Sequence, residues 1–327
     1  MVPTTAAPDA PQRDFPEWMD PMVVKELRQA LQHRFFLVPF ITVHFILLGT
    51  LAVEWMALQQ SQATSQGVRP LIHPTLGKLA FWEAAYLVVA YLMPLRGFDA
   101  LQEERQRGNT ELLLMAGLTR WKIVRGKWMV QMFLTLLVVS SLLPYAIVRY
   151  FFGGIEITES AIQLLAVIGA SLANSGLIIG TSGYSRYSVR LPILFIGLIY
   201  VLSVVVAVNT IVLEGPALFG ISKLSPIVFF YILVCLLAIF ALYAVLGLQL
   251  GRAHLKLCLV PWEQAPTRSI AGLLLISPFI LLTGILITCG WGGLFIILIF
   301  IITIIQIDRA PTAPASVAKP AAMPLGF

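Results

Sequence analysis

The sequence predicts an all-α fold, a polytopic bundle of about eight membrane-spanning helices, and three observations predict it. Of 327 residues, 58% are hydrophobic and only 12% charged, where a soluble domain carries about 25% charged residues. Mean hydropathy is +0.88. Apolar runs of about 20 residues, the length a helix needs to cross a bilayer, recur along most of the chain. Lysine and arginine gather in alternate connections between those runs, the mark of a chain threaded back and forth across a membrane.

The first 19 residues contain no apolar core of the kind that marks a cleavable signal peptide, so the first span is expected to act as its own uncleaved signal. Asp20-Pro21 is a helix start: Asp caps the orphan N–H groups, and Pro occupies a position whose N–H has no partner anyway. Met22, Val23, Leu27, Ala30 and Leu31 then repeat at intervals of three and four, with Lys25, Glu26, Arg28, Gln29, Gln32 and His33 between them. That pattern predicts an amphipathic helix lying on the cytoplasmic leaflet. Residues 1–34 form this cytoplasmic segment.

Spans are expected over 35–57, 79–95, 128–151, 161–181, 191–212 and 227–250. The remaining apolar stretch, 270–307, would be roughly 56 Å long as one helix, too long for one crossing. Its Cys289-Gly290-Trp291-Gly292-Gly293 cluster is the natural turn of a hairpin, giving eight spans, or six if the hairpin only dips in. Pro94, Pro144, Pro192 and Pro278 mark kinks or span ends. The transmembrane domain thus covers 35–308, and the Pro- and Ala-rich tail 309–327 reads as disordered and cytoplasmic.

Threading the spans puts 18 of the 22 lysines and arginines on one side, leaving Arg69, Lys78, Arg149 and Lys223 on the other. The rich side is cytoplasmic by the positive-inside rule. Both termini fall there, so the net charge of +6 reflects topology and attraction to anionic membrane lipids. No aromatic-interleaved basic patch calls for nucleic acid.

Between the second and third spans lies a charged cytoplasmic segment, 98–127. Glu103, Glu104, Arg105 and Arg107 carry the second span into water, and Gly108-Asn109 breaks the helix. Asn109 can cap a short helix over 110–116, with Glu111 and the consecutive Leu112, Leu113 and Leu114, and Gly117 ends it. Three adjacent leucines on a short helix need cover from lipid, from their own chain or from a partner's groove. Thr119 then caps a basic turn, Arg120 to Lys127, that feeds the third span.

Chemistry within the chain is sparse. A phosphate-binding loop needs G-x-x-x-x-G-K-[ST]; Gly126-Lys127 has Trp121 and Trp128 in the flanking places. No Asp, Lys or Arg stands at mid-span, as ion-driven carriers require; Glu54 and Glu83 lie toward the outer ends. His44 has no partner one turn on, so a histidine satisfied by its neighbours is expected rather than a catalytic one. Cys235, Cys258 and Cys289 have neither disulfide nor metal spacing. Thr135, Ser171, Asn174 and other polar residues inside spans are expected mainly to bond between helices. The fourth span is rich in small residues, and Gly176 and Gly180 predict close helix packing, within the chain or across a dimer.

Two stretches resemble the permease subunits of ABC-2 type ABC transporters. Asp-Pro, an apolar pair and Lys-Glu-Leu-Arg at 20–28 resemble the opening of those subunits, where the segment forms an elbow helix beside the ATPase. Glu104-Arg105, Gly108, Thr110, Glu111-Leu112-Leu113-Leu114, Thr119 and Ile123-Val124-Arg125-Gly126-Lys127 resemble the family's coupling helix and its exit. Asn109 interrupts the pattern, and Ala116-Gly117 stand where proline is common. The resemblance runs from Asp20 to about Arg190.

It implies an elbow helix carrying Asp20, Pro21, Lys25, Glu26 and Arg28. It also implies an ATPase contact through Glu103, Glu104, Arg105, Arg107, Glu111, Leu112, Leu113 and Leu114. The chain would be no enzyme and hold no cofactor. ATP and Mg would bind a separate ATPase subunit, and a second permease protomer would complete an exporter in a bacterial inner membrane. The alternative is a membrane scaffold or assembly factor that binds an ATPase and moves no solute.

Overall fold

The computed structural model describes residues 21–32, 34–64, 74–106, 108, 119–152, 157–218, 226–259, 267–287 and 293–307. Asp20, Arg107, the leucine-bearing helix expected over 110–116, the turn expected at 289–292 and the tail 309–327 lie outside the described residues.

Among the described residues every element is helical. In chain order they are α1 (Pro21–Gln32), α2 (Arg34–Thr64) and α3 (Pro74–Ala85), which runs on through a π-helical stretch (Tyr86–Leu92), a 3-10 turn (Pro94–Gly97) and α4 (Ala100–Gln106). Then come α5 (Arg120–Phe152), α6 (Ile157–Thr181), α7 (Tyr187–Leu218), α8 (Pro226–Leu259), α9 (Thr267–Ile287) and α10 (Gly293–Ile307). Six helices among the described residues are long and apolar enough to cross a membrane, while the apolar stretches of α9 and α10 are shorter. The chain is a multi-pass membrane protein of helical architecture.

Three boundaries differ from the sequence reading. The first outer connection is shorter than the 58–78 expected, because α2 continues to Thr64 and α3 begins at Pro74. Polar residues at a span's end cost a helix nothing once they reach water, so apolar content does not locate its end. The second span does not stop at residue 95 but runs on to Gln106 through a 3-10 turn that begins at Pro94, where a kink or span end was expected. The third begins at Arg120, in the basic turn, with no break at Lys127.

At the centre stands α6, which touches α5, α7, α8 and the π-helical stretch. In its apolar window 78% of residues are buried, against 22% in α2 and 33% in α7. The two outer helices expose large side chains such as Phe45 and Leu48, or Phe195 and Ile199; in a bilayer those faces meet acyl chains, which solvate them as well as protein does. The small residues of α6 meet α8 of the same chain. A Cβ at Gly176 would stand 2.8 Å from the Cα of Ala244, and one at Gly180 would overlap the backbone of Gly247. Two backbones this close need glycine on both sides.

The π-helical stretch and Pro94 create a local backbone problem. In a regular helix the carbonyl of Ala90 would accept from residue 94, but proline has no N–H. Asn174 of α6 supplies the donor instead, its Nδ2 lying 2.6 Å from Ala90 O. Gln131 of α5 adds a side-chain donor at 2.6 Å to Met93 O, which also accepts from the Arg96 N–H at 3.3 Å. Amides from two neighbouring spans thus satisfy the irregular backbone, as apolar surroundings demand.

Most of the intramembrane hydroxyls bond within their own helix rather than between helices. Ser140, Ser141, Ser175 and Ser203 each donate to the carbonyl three residues back. Thr135 and Ser171 do bond across α5 and α6, at 3.0 Å. Short hydroxyl side chains reach their own helix backbone more easily than a neighbour's.

Candidate functional site

The charged end of the bundle gathers residues from three distant stretches of chain. Lys127, near the start of α5, donates to Glu26 of α1 at 3.0 Å and to Glu104 of α4 at 3.1 Å. Its side chain is only 8% exposed, so an ammonium lodged there requires carboxylates to replace its water. A second tie begins in the turn before α4. Asp99 Oδ1 accepts from Arg190 of α7 at 2.8 Å, and the guanidinium of Arg190 lies over the Phe98 ring, 3.4 Å from its centroid. Arg190 is fully buried. Ion pairs therefore fasten α4, the stem below the break, to α1, α5 and α7.

Local sequence sets the ends of this stem. Gly108, at φ +68°, follows α4 in the left-handed region, and its N–H donates to Arg105 O at 3.2 Å. That is the usual way a glycine closes a helix. Beyond the segment outside the described residues, Thr119 Oγ1 accepts from the N–H of Lys122 at 3.3 Å, capping α5. Leu101, Ile123, Val124, Ile179, Leu248 and Leu255 form a small separate core beneath the stem. Buried Ser182 accepts from the N–H of Leu101 at 3.1 Å, pinning α4 to the end of α6.

The residues singled out by sequence separate into two groups. Glu26 and Glu104 face inward, committed to Lys127. Lys25, Arg28, Glu103 and Arg105 are exposed. Pro21 opens α1. Asp20, Arg107, Glu111, Leu112, Leu113 and Leu114 fall outside the described residues. Gly176 and Gly180 lie remote from the charged end and belong to the α6–α8 seam.

Lys127, Asp99, Arg190 and Arg96 were not among the expected site residues. The partners of Lys127 and Arg190 stand far away in sequence, at 101 and 23 positions for Lys127 and 91 for Arg190. No local pattern could have paired them.

A cleft of about 930 Å³ opens at this end, lined by α1, the 3-10 turn, α4 and α5. Its walls include Glu26, Arg96, Asp99, Glu103, Glu104 and Lys127, with Gln131 also among the lining residues. In the turn between α6 and α7, Tyr184 packs edge-on to His254, ring centroids 4.0 Å apart. Burial raises the Tyr184 phenol above its ordinary range.

At the other end of the bundle, Arg149 of α5 grips Glu54 of α2 through two bonds, 2.8 Å and 3.1 Å. Its guanidinium also covers the Phe81 ring at 4.2 Å, so α2, α3 and α5 are clasped together. His44 bonds through Nδ1 to Phe40 O at 2.7 Å and rests edge-on against Tyr145, a packing role. Among the described residues no group of three or more His, Cys, Asp or Glu could hold a metal ion.

No protein-family model matches the chain, and no curated protein or solved structure matches it. What the geometry defines is a class, a multi-pass helical membrane protein with an ion-paired module at one end.

Proposed function

We propose that the chain is the membrane-spanning permease subunit of an ATP-driven exporter of the ABC-2 type. The observation that carries this reading is the Glu26–Lys127–Glu104 triad. Both stretches that carry the sequence resemblance reach it: Glu26 belongs to the opening segment 20–28, Glu104 and Lys127 to the charged segment 98–127, and the three meet in a single ion cluster. A device that passes motion from a partner into the spans needs such a joint, because a force on the segment between α4 and α5 is felt only if both ends are anchored.

In this reading α9 and α10 cross the membrane as a hairpin, giving eight spans with both termini in the cytoplasm of a bacterial cell. Residues 109–118 dock into a separate ATPase subunit that binds ATP and Mg, and a second protomer completes the pathway. Exposed Glu103 and Arg105 meet the ATPase, while Glu104 transmits through Lys127.

The test is purification of the tagged full chain from its host in mild detergent, with mass spectrometry of what accompanies it. A stoichiometric ATPase bearing a phosphate-binding loop, lost when Leu112, Leu113 and Leu114 become Ser, is the expected outcome. A chain that emerges without an ATPase overturns the proposal. An ATPase complex whose hydrolysis ignores lipids and solutes would instead identify a scaffold.

A further inference from the structure

The second span is firmly anchored at one end and loosely held at the other. Toward the charged end, ion pairs tie α4 and the turn before it to α1, α5 and α7, and Ser182 pins α4 to the end of α6. Toward the far end, α3 packs chiefly along α2, and only 22% of the apolar window of α2 is buried. The two helices form a hairpin on the flank of the bundle.

Both arms of that hairpin are weakened near the charged end. In the second span the Met93 N–H reaches back to Val88 O at 2.9 Å, a π-helical bond, and Pro94 brings no N–H at all. The carbonyls of Ala90 and Met93 take side-chain donors from α6 and α5 instead. Bonds that run sideways to neighbouring helices resist axial bending less than a regular ladder does, and π-helical turns and prolines are where helices bend. In α2 the matching point is Pro39, close to the start of the helix, where a ladder bond is lost in the same way.

Against α5 the hairpin meets mostly rings and aliphatic side chains, with His44 on Tyr145 and Trp55 on Phe152. In a bilayer such contacts separate at little cost, because acyl chains replace them. The Glu54–Arg149 pair is different. Its two bonds are directional, the same guanidinium covers the Phe81 ring of α3, and lipid tails offer neither charge a substitute partner. A buried ion pair is seldom the most stable filling for its place; its best-attested use is to set register or act as a switch. This one stands far from the bend, fifteen residues beyond Pro39 in the same helix and so roughly 22 Å away.

We propose that α2 beyond Pro39 and α3 form a gate leaf that turns about Pro39 and the stretch 86–97, and that the Glu54–Arg149 pair latches it to α5. When the pair parts, the far end of the leaf leaves α5 and a lateral opening forms between them, while the charged end keeps its shape. A tilt of about 20° over that roughly 22 Å arm moves the latch point by about 8 Å. The device requires that the chain span a membrane but not that it be a permease, so it and the exporter reading stand or fall separately.

The test is a double electron–electron resonance distance measurement on the full-length protein in nanodiscs, with Cys235, Cys258 and Cys289 replaced by Ser. One spin-label pair, Met56→Cys with Ile157→Cys, reports the leaf against the far end of α6 from two exposed positions. A control pair, Gln106→Cys with Ser185→Cys, spans the charged end, also at exposed positions. With the latch intact each pair should give one narrow distribution. Glu54→Gln, which keeps the shape of the side chain and removes its charge, should add to the leaf pair a second population displaced by up to about 8 Å. The control pair should not change. Adding Pro94→Ala, which restores an axial donor, should shrink the displaced population.

An unchanged leaf pair in Glu54→Gln protein that elutes like wild type overturns the proposal. So does a displacement of both pairs, which would mean that the whole bundle loosens. A displaced population that Pro94→Ala leaves untouched would put the bend elsewhere and overturns it too. Should Glu54→Gln fail to fold, Arg149→Lys, which keeps the charge but loses the two-pronged grip, is judged by the same criteria.

Discussion

At the scale of single residues, buried charges and orphaned carbonyls decide what the chain tolerates. Glu54 and Arg149 are both buried and bonded to each other, so removing Arg149 takes the counter-ion from a buried carboxylate. Arg149→Ala is expected to cost about 3–5 kcal/mol, read as a fall in the melting midpoint by size-exclusion chromatography. Glu54→Leu with Arg149→Met should recover most of that loss, since an apolar pair carries no stranded charge. If the double variant is as unstable as the single, the ion pair is not the source. Asn174 offers a second case. Asn174→Leu strands the Ala90 carbonyl, worth about 1–3 kcal/mol. In a Pro94→Ala background, where residue 94 regains an N–H, the same change should cost less. An identical cost in both backgrounds would rule out the proline as the reason for that bond.

At the scale of elements, the α6–α8 seam and the triad joint are the parts whose geometry is most constrained. A Cβ at Gly176 or Gly247 meets backbone atoms of the facing helix, and backbone cannot rotate aside as a side chain can. Gly176→Ala should therefore destabilise by about 1–3 kcal/mol, whereas Gly272→Ala, with open space around it, should be neutral. Comparing the two melting midpoints separates packing from any general effect of adding a methyl group. At the joint, Lys127→Met removes the ammonium that Glu26 and Glu104 share while leaving the exposed face of α1 unchanged. Limited proteolysis near residue 33 should accelerate as α1 loosens. Unchanged cleavage would show that the apolar contacts of α1, through buried Val23 and Ala30, hold it alone.

At the scale of the whole molecule, the open quantity is threading. Cys289 lies between α9 and α10, and Ser185 lies in the exposed turn between α6 and α7. With Cys235 and Cys258 replaced, an impermeant thiol reagent should label Cys289 only from outside the cell if the hairpin crosses. Ser185→Cys, in a variant without the native cysteines, should react only in inverted vesicles. Labelling of Cys289 from the inside would reduce the count to six spans and a re-entrant hairpin.

Helical class, the location of the six long spans and the ends of the charged stem were legible in sequence because each is local. Twenty apolar residues in a row, Gly108 after Gln106, and Thr119 before Arg120 act within a few positions of themselves. Small residues at 176 and 180 foretold a close approach, yet not whether the partner would be another span of this chain or another copy. Only the tertiary structure selected α8, since the choice rests on Ala244 and Gly247 lying opposite. The π-helical stretch, the amides that rescue its carbonyls, and the Glu26–Lys127–Glu104 joint were decided the same way. Each depends on groups brought together from dozens of residues apart, and a buried polar atom takes whichever partner the packing of apolar helices leaves within reach.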